Sequence, residues 1–445
     1  MKKKYNIVYI HSHDTGRYIQ PYGYSIPTPK LQQFAEEGVF FRQAFCANPT
    51  CSPSRAALLT GQCAHSSGMW GLAHRGFSLY DYSQHLLHTL RNEGYYSALS
   101  GIQHIANMYE NPGKHIGYDQ VLEMEVDTSS KHHQDGPRVA AACKFIRNRP
   151  SEPFFLSVGF AATHRGYPLK EECTVDVRYV RPPDPLPDTP EMRQDMAEYM
   201  TLAKELDDSM GQVFDVIKEQ GLEDNTIIIC TTDHGIAFPR MKCNLQDSGV
   251  GVMLMMKGPQ KFLQGGKVID AMVSHIDVFP TICELLDIDK PDWLQGKSMM
   301  PLLTGEKESI NEEIFTEVNF HAAYEPMRSV RTKRWKYIKR MNAERDIPVM
   351  ANCDNGKAKT KWYENGWAKQ KQDEDMLFDL MFDPNETNNL IDKPEYADVV
   401  GELKDKLKKW MEKTDDPFLQ TACLTPTHPE LITDIDQFDP ALPKE

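Results

Sequence analysis

One short stretch of the chain, from Cys51 to Arg55, combines a nucleophile with a cation at a predicted helix start. Pro53 suits the first turn of a helix, where its missing N–H costs no hydrogen bond, and residues 56–59 are good helix formers. Amides at a helix start attract anions, and an arginine fork fits a tetrahedral oxyanion. Cys51 and Arg55 are therefore a candidate nucleophile and anion-binding residue, although an isolated cysteine is more often a buried structural residue.

Two further pairs of side chains could bind a metal: His13-Asp14 and Asp233-His234. Each pair directly follows an apolar run that predicts a buried strand, and sites in open α/β sheets form beyond the carboxyl ends of strands. Carboxylates and imidazoles from distant strand ends can converge on one divalent cation. A single aspartate at a strand end more often caps a helix or turn. Together with the Cys51 motif, the two pairs favour a metal site.

The motif Cys51-x-Pro53-x-Arg55, with Leu59-Thr60-Gly61 after it, resembles the signature of the type I sulfatases. The resemblance implies that a maturation enzyme oxidises Cys51 to formylglycine, an aldehyde. In that family one hydroxyl of the aldehyde hydrate attacks sulfur, and the other expels sulfate as the carbonyl re-forms. An unmodified cysteine has no comparable release step.

The same resemblance implies a single divalent cation bound by Asp14, Asp233 and His234. His13 stands where the family usually has an aspartate, and it is the fourth predicted ligand. Ca²⁺ is the metal that the resemblance implies, but Ca²⁺ prefers oxygen ligands. Two imidazoles would shift the preference towards Mn²⁺ or Zn²⁺.

Three more catalytic residues follow from the resemblance: His104, His164 and Lys242. His104 matches the histidine that assists the formylglycine hydroxyl, and His164 matches the histidine near the leaving group. Lys242 matches a basic residue that holds sulfate. Ile102 replaces a lysine that normally contacts sulfate, so one cation of the family pattern is lost.

The sulfamidase branch of the family is similar to this chain in several further places, including 67–72, 235–239 and 326–330. This similarity favours N-sulfoglucosamine or another sulfated amino sugar as the substrate. Arg165, Arg240 and His321 are predicted to bind it, with Arg240 supplying part of the charge missing at Ile102.

Strands alternating with helices over the first 312 residues predict an α/β fold with a large, mostly parallel sheet between helices. Apolar runs at 7–10, 153–158 and 226–231 are the predicted central strands. The resemblance implies the alkaline-phosphatase-like sulfatase fold. We expect a catalytic domain over residues 1–312 and a smaller C-terminal α+β domain over 313–445.

Composition narrows the function classes. The net charge is −14, which disfavours nonspecific nucleic-acid binding. Ten cysteines in 445 residues are too dilute for a disulfide framework. No apolar stretch reaches the roughly 18 residues of a membrane span, and the apolar run near the N-terminus is too short for a signal peptide. We expect a cytoplasmic protein with no membrane or nucleic-acid partner; its oligomeric state stays open.

Two alternatives to a sulfohydrolase acting on a sulfated sugar stay open. A phosphodiesterase or phosphonate monoester hydrolase of the same superfamily would share the metal site. A non-catalytic binder of sulfated glycans would account for Ile102 and His13. Retention of four residues of the family pattern disfavours the second alternative: Cys51, Arg55, Asp14 and Asp233.

Overall fold

A computed structural model describes residues 4–124, 135–151, 153–342 and 345–440. It contains a large mixed sheet, in the order β4 (Gln120–Val121), β3 (Tyr96–Gly101), β5 (Phe154–Gly159), β1 (Asn6–His11), β6 (Thr226–Thr231), β8 (Leu254–Lys257), β2 (Val39–Phe45) and β7 (Gly251–Val252), with β9 (Lys267–Ser274) also paired to β2. A separate antiparallel sheet has the order β10 (Ile314–Phe320), β11 (Tyr324–Arg331), β12 (Trp335–Arg340) and β13 (Asp375–Asp379). The pairs β3/β4, β3/β5, β1/β5, β1/β6 and β2/β9 are parallel. The predicted α/β class with a mostly parallel sheet is therefore confirmed.

The strands within the described residues are β1 (Asn6–His11), β2 (Val39–Phe45), β3 (Tyr96–Gly101), β4 (Gln120–Val121), β5 (Phe154–Gly159), β6 (Thr226–Thr231), β7 (Gly251–Val252), β8 (Leu254–Lys257), β9 (Lys267–Ser274), β10 (Ile314–Phe320), β11 (Tyr324–Arg331), β12 (Trp335–Arg340) and β13 (Asp375–Asp379). The α-helices there are α1 (Pro29–Glu37), α2 (Cys51–Thr60), α3 (Ala64–Ser67), α4 (Leu86–Asn92), α5 (Pro112–Ile116), α6 (Asp135–Arg147), α7 (Pro190–Glu219), α8 (Asp247–Val250), α9 (Val278–Leu286), α10 (Met300–Thr304), α11 (Lys357–Glu364) and α12 (Ala397–Lys413).

The three central strands β1, β5 and β6 are buried along their whole length. Helices α1, α6 and α7 contribute apolar side chains to the core on one face of the sheet. Helices α2, α4 and α9 contribute to the core on the other face. Strands covered on both faces are apolar at nearly every position, which is why the apolar runs in the sequence located them.

The register of these strands brings three loops together at one edge of the sheet. His11, the last residue of β1, pairs with Thr231 of β6 and with Gly159 of β5. The segments that follow, 12–14, 160–164 and 232–234, therefore leave the sheet side by side.

The second sheet begins at Ile314, close to the predicted domain boundary after residue 312; the division of the chain into two domains stays a prediction. Helix α12 packs on this sheet through Leu403, Leu407 and Met411, which share a core with Val330 and Tyr337. These α12 residues are spaced four apart, so they lie on one face of the helix.

Most predicted elements agree with the structure, and one loop differs. The run predicted as a strand at 226–231 is β6 with the same bounds. The Pro- and Asp-rich stretch 182–190 predicts an exposed loop, but Pro182, Pro183 and Leu186 are buried, and Leu186 packs in a core with residues of α7. Among the described helices, none is long and apolar enough to cross a membrane.

Candidate active site

Two carboxylates meet where β1 and β6 end. The backbone N–H of Asp14 donates to Asp233 Oδ1 at 2.8 Å, and both side chains are buried. Asp14 adopts a left-handed backbone conformation, with φ at +56°. Such conformations are uncommon outside glycine and cluster at functional sites.

Two imidazoles face these carboxylates. His13 Nδ1 lies 2.7 Å from Asp14 Oδ1 and 3.2 Å from Asp233 Oδ2. His234 places its Nδ1 3.0 Å from the carbonyl oxygen of Gly235, which can only accept a hydrogen bond, so Nδ1 carries the proton. Its Nε2 then points its lone pair at Asp14 and Asp233, 3.4 and 3.6 Å away.

This donor set fits a divalent cation. His234 Nε2 is buried and has no hydrogen-bond partner among the described residues, a state that is costly unless another ligand completes it. A metal-binding histidine commonly donates its other ring N–H to a backbone carbonyl, as His234 does here. The four ligands predicted from the sequence, Asp14, Asp233, His13 and His234, lie close enough together to hold one metal ion. The mixture of carboxylate and imidazole donors suits Mn²⁺ or Zn²⁺ better than Ca²⁺.

Charge in the cluster keeps both ligand types in the form that binds cations. Burial alone would raise the pKa of Asp14, but Lys242 and the neighbouring histidines hold it well below its usual range. Burial lowers the pKa of His13 to about 3, against the pull of Asp233 and Asp14. The carboxylate is therefore ionised and the imidazole neutral near pH 7.

Cys51 is the first residue of α2 and is buried beside this cluster. Its sulfur and potential ligand atoms of His13, Asp14 and Asp233 all lie within 4.8 Å of one another. Burial raises the pKa of the Cys51 thiol, and the Asp14 and Asp233 carboxylates raise it further against the influence of Lys242. Because the thiolate is the reactive form of cysteine, the unmodified side chain is a weak nucleophile here.

Two cations flank the carboxylates. Arg55 Nη2 donates to Asp233 Oδ2 at 2.8 Å and to the Ser12 carbonyl at 3.0 Å. Lys242 Nζ lies 2.9 Å from Asp14 Oδ2 and 2.9 Å from Asp354 Oδ2. Lys242 therefore links the carboxylate pair, through Asp14, to a third acidic residue, Asp354.

Asp354 is a site residue that the sequence reasoning missed. It follows a short helical turn, Met350–Asn352, in the C-terminal third of the chain. No strand or motif precedes it, so no local pattern distinguished it from a surface aspartate. Its ion pair with Lys242 is visible only in the tertiary structure.

The other two predicted catalytic histidines, His104 and His164, both lie against His13. His104 Nδ1 is 3.4 Å from His13 Nε2, and His104 also has a positive φ, +57°. The His164 ring packs edge-on against His13 with centroids 4.5 Å apart, and its Nε2 is 4.0 Å from Asp14 Oδ2. The His164 side chain is 35 % exposed, so it faces the open side of the site.

Two predicted substrate-binding arginines have other partners. Arg165 donates to Asp195 at 3.0 Å and to the Ala237 carbonyl at 2.7 Å. Arg240 donates to the Glu386 carbonyl at 2.7 Å. Both charges are therefore engaged in packing contacts, and in the structure Arg240 does not replace the cation missing at Ile102.

His321, the third predicted substrate-binding residue, extends from the end of the second sheet towards Lys242. Its ring is buried, and Nδ1 has no hydrogen-bond partner in the part of the chain that the structure describes. Burial lowers the pKa of His321, and nearby Lys242 lowers it further. A neutral, unpaired ring nitrogen of this kind is suited to bind a hydroxyl or amine of a ligand.

A cavity of about 680 Å³ lies between α7 and α11, and none of the cluster's side chains is among its lining residues. Its lining includes Arg165 and Asn355, the sequence neighbours of His164 and Asp354. The remaining lining comes mostly from α7 and α11. A volume of this size accommodates a small ligand.

Comparison with known protein families agrees with this geometry. A family model described as sulfatase matches residues 5–288. A second model, described as the C-terminal region of N-sulphoglucosamine sulphohydrolase, matches residues 240–352.

Individual relatives are similar along nearly the whole chain. Human N-sulphoglucosamine sulphohydrolase is 28% identical, with 89% of this chain and 87% of the relative covered. An ulvan-active sulfatase of Formosa agariphila is 27% identical, with 92% and 75% covered.

Solved structures share the fold. A protein solved with its substrate D-glucosamine-2-N,6-O-disulfate has a TM-score of 0.72 at 18% identity, covering 94% of this chain and all of that one. A 2-O GAG sulfatase has a TM-score of 0.71 at 20% identity, covering 96% and 98%. With a family model spanning most of the chain, the protein belongs to the sulfatase family and is a hydrolase of sulfate esters or sulfamates.

Proposed function

We propose that this sulfatase releases sulfate from N-sulfoglucosamine or another sulfated amino sugar, using formylglycine formed from Cys51. The observation that carries the proposal is the meeting of Cys51 with two carboxylates and two histidines in one buried cluster. Similarity to human N-sulphoglucosamine sulphohydrolase and the match to its C-terminal region support an amino sugar as the substrate.

A maturation enzyme would convert Cys51 before catalysis. The aldehyde hydrate supplies one hydroxyl that attacks sulfur and another that expels sulfate. A divalent cation bound by Asp14, Asp233, His13 and His234 would supply a Lewis acid for the sulfate oxygens. Arg55, fixed by Asp233 and Ser12, keeps the carboxylate and the start of α2 in register.

Lys242 binds and orients the sulfate. Its ammonium is held between Asp14 and Asp354, 2.9 Å from each. A buried, pre-positioned cation stabilises negative charge more strongly than a mobile surface cation, because it needs no reorganisation. Asp354 keeps the ammonium charged and limits its movement.

The two histidines divide the proton transfers. His164, on the open side of the cluster, protonates the departing amine or alkoxide of the sugar. His104, 3.4 Å from His13, serves the aldehyde side. Burial lowers the pKa of His104, so its ring is neutral and can accept a proton from the aldehyde hydrate.

A substrate panel with matured protein tests the proposal. We expect sulfate release from N-sulfoglucosamine or an O-sulfated glucosamine, and little hydrolysis of phosphate diesters and phosphonate monoesters. The Cys51→Ala variant should release no sulfate. Hydrolysis of aryl sulfates without that of any sulfated amino sugar would contradict the substrate and leave the sulfatase assignment intact. Faster hydrolysis of phosphorus substrates would favour the phosphodiesterase alternative, and binding without any turnover would favour a glycan binder.

A further inference from the structure

A second cluster of nucleophilic and titratable side chains lies outside the active site. His65 Nδ1 is 3.0 Å from both carboxylate oxygens of Glu317, and the His65 backbone N–H also donates to Glu317 at 3.1 Å. The other ring nitrogen, Nε2, lies 3.5 Å from the sulfur of Cys63, whose thiol donates to Gln295 Oε1 at 2.9 Å. The order carboxylate, imidazole, thiol is the arrangement that activates nucleophiles in many enzymes.

Glu317 is held so that it can orient the imidazole. Asn319 Nδ2 donates to Glu317 Oε2 at 3.1 Å, and Arg328 lies 3.5 Å from the same oxygen. Both oxygens are therefore already engaged, which favours an activated thiol over a metal site. Burial opposes the charged form of His65, but Glu317 and Cys63 raise the pKa of His65 well above its ordinary value.

Cys63 lines a cavity of about 400 Å³ between the two sheets and α12. The lining carries more positive than negative charge: its only acidic side chain among the described residues is Glu313, and its four basic residues are Lys297, Lys406, Lys409 and Lys413. Lys409 and Lys413 are exposed and lie one helical turn apart on α12. The cavity therefore favours a negatively charged ligand.

Two other features of the lining point to a ligand. Trp410 lies between Lys409 and Lys413 in the sequence. Its ring packs edge-on against the His65 ring, with the centroids 5.3 Å apart. The hydroxyl of Ser274, 4 % exposed, has no hydrogen-bond partner among the described residues. An aromatic wall and an unpaired hydroxyl add to the cationic rim and the thiol.

We propose that Cys63 is a second nucleophilic centre and a modification site for small anionic disulfides. His65 takes the thiol proton, and the Cys63 thiolate attacks one sulfur of the disulfide. A new S–S bond to Cys63 forms as the original S–S bond breaks, and the departing thiolate takes the proton from His65. The products are a mixed disulfide on Cys63 and one free thiol.

Native-state labelling with 5,5′-dithiobis(2-nitrobenzoate), a dianionic disulfide, tests this site, with peptide mapping to locate each modified cysteine. Cys423, the exposed cysteine of the described residues, is the internal reference. We expect Cys63 to react faster than Cys423 although Cys63 is only 3 % exposed. Labelling of Cys423 with none at Cys63 would overturn the proposal.

Charge variants separate the cavity from the thiol. The double variant Lys409→Ala/Lys413→Ala should slow labelling of Cys63 by the anionic probe about tenfold, and it should leave labelling by neutral 4,4′-dithiodipyridine unchanged. Lys408→Ala, on the same helix but outside the lining, is the matched control and should change neither rate. Equal slowing of both probes would refute a role for the cationic rim.

A variant of the imidazole tests activation. His65→Gln should slow labelling of Cys63 by both probes while the Cys423 rate and sulfatase activity report an intact fold. An unchanged Cys63 rate in a folded His65→Gln protein would show that the thiol reacts without the imidazole. Cys63→Ser should retain sulfatase activity, because Cys63 lies outside the catalytic cluster.

Discussion

Cys51 and Cys63 stand at the starts of the neighbouring helices α2 and α3, but different charges surround their sulfur atoms. Cys51 lies beside the carboxylates of Asp14 and Asp233. Cys63 lies beside the imidazole of His65. Carboxylates disfavour a thiolate, whereas an imidazole that accepts the proton favours one.

The difference indicates how one chain can use cysteine in two ways. At Cys51 the surroundings suit a metal ion and a sulfate, and the thiol needs conversion before it can attack. At Cys63 the thiol itself has the partners of a nucleophile. Residue type alone therefore does not fix the chemistry; the neighbouring charges do.

Removing the sulfur of Cys51 should greatly reduce turnover, whereas removing the sulfur of Cys63 should hardly change it. Cys51→Ala should lower sulfate release by about 10⁴-fold or more, since the nucleophile is lost. Cys63→Ser should stay within about twofold of the parent. Initial rates on one sulfated sugar, with circular dichroism to check folding, make the comparison. Near-normal activity of Cys51→Ala would refute the assigned nucleophile.

Metal binding should depend on the carboxylates beside Cys51 and should not depend on any carboxylate near Cys63. We expect Asp233→Asn to lose bound metal and to reduce turnover almost as far as Cys51→Ala, because a charged ligand is removed. Asp354→Asn is the matched control: it lies against Lys242 and should retain metal while turning over more slowly. Elemental analysis of both proteins decides, and full metal occupancy in Asp233→Asn would show the ligand assignment to be wrong.

The role of His164 should depend on the leaving group. His164→Gln should slow hydrolysis of a sulfated amino sugar by about 10²-fold or more, as loss of a general acid does. An activated aryl sulfate needs little protonation, so its rate should fall far less. Rates on the two substrates are compared with the same protein preparation. Equal slowing of both would exclude the proton-donor role.

The Glu317 and His65 pair should affect stability instead of turnover. The folded-state pKa of Glu317 is lowered to about 2 from 4.5, so its stabilisation is present above pH 4.5 and lost as the pH falls towards 2. The raised pKa of His65 gives stabilisation that is present below 6.5 and lost as the pH rises through the folded-state value. The pair is therefore most stabilising between about pH 4.5 and 6.5.

Urea unfolding of Glu317→Gln measures this effect. In that pH window the variant should lose about 3 kcal/mol of unfolding free energy, because a buried charge pair is broken. Glu313→Gln removes a partly exposed acid paired with Lys406 and should cost less than about 1 kcal/mol. A loss in Glu317→Gln that does not vary with pH would contradict the charge pairing.

The central strands could be predicted from the sequence because they are apolar runs, and the meeting of Asp14 with Asp233 could be predicted because both residues follow strand ends. The apolar run at 226–231 marked β6, and the strand-end rule placed Asp233 beside Asp14. The fates of Arg165 and Arg240 could not be predicted, because they depend on which distant acceptor each arginine meets.

The same limit applies to residues that no pattern marked. Asp354 follows an irregular segment, and its pairing with Lys242 arises only when the C-terminal region packs against the first sheet. The pairing of His65 with Glu317 joins residues far apart in the chain. Such contacts are set by tertiary packing, which local sequence patterns do not encode.

The central claim, that formylglycine at residue 51 performs the hydrolysis, is tested most directly by comparing modification with activity. Preparations with different degrees of maturation can be assayed by peptide mass, because conversion of Cys51 removes roughly 18 Da. We predict that sulfate release per molecule rises in proportion to the converted fraction and extrapolates to zero at no conversion. Undiminished sulfate release from protein whose Cys51 is wholly unconverted would contradict the account.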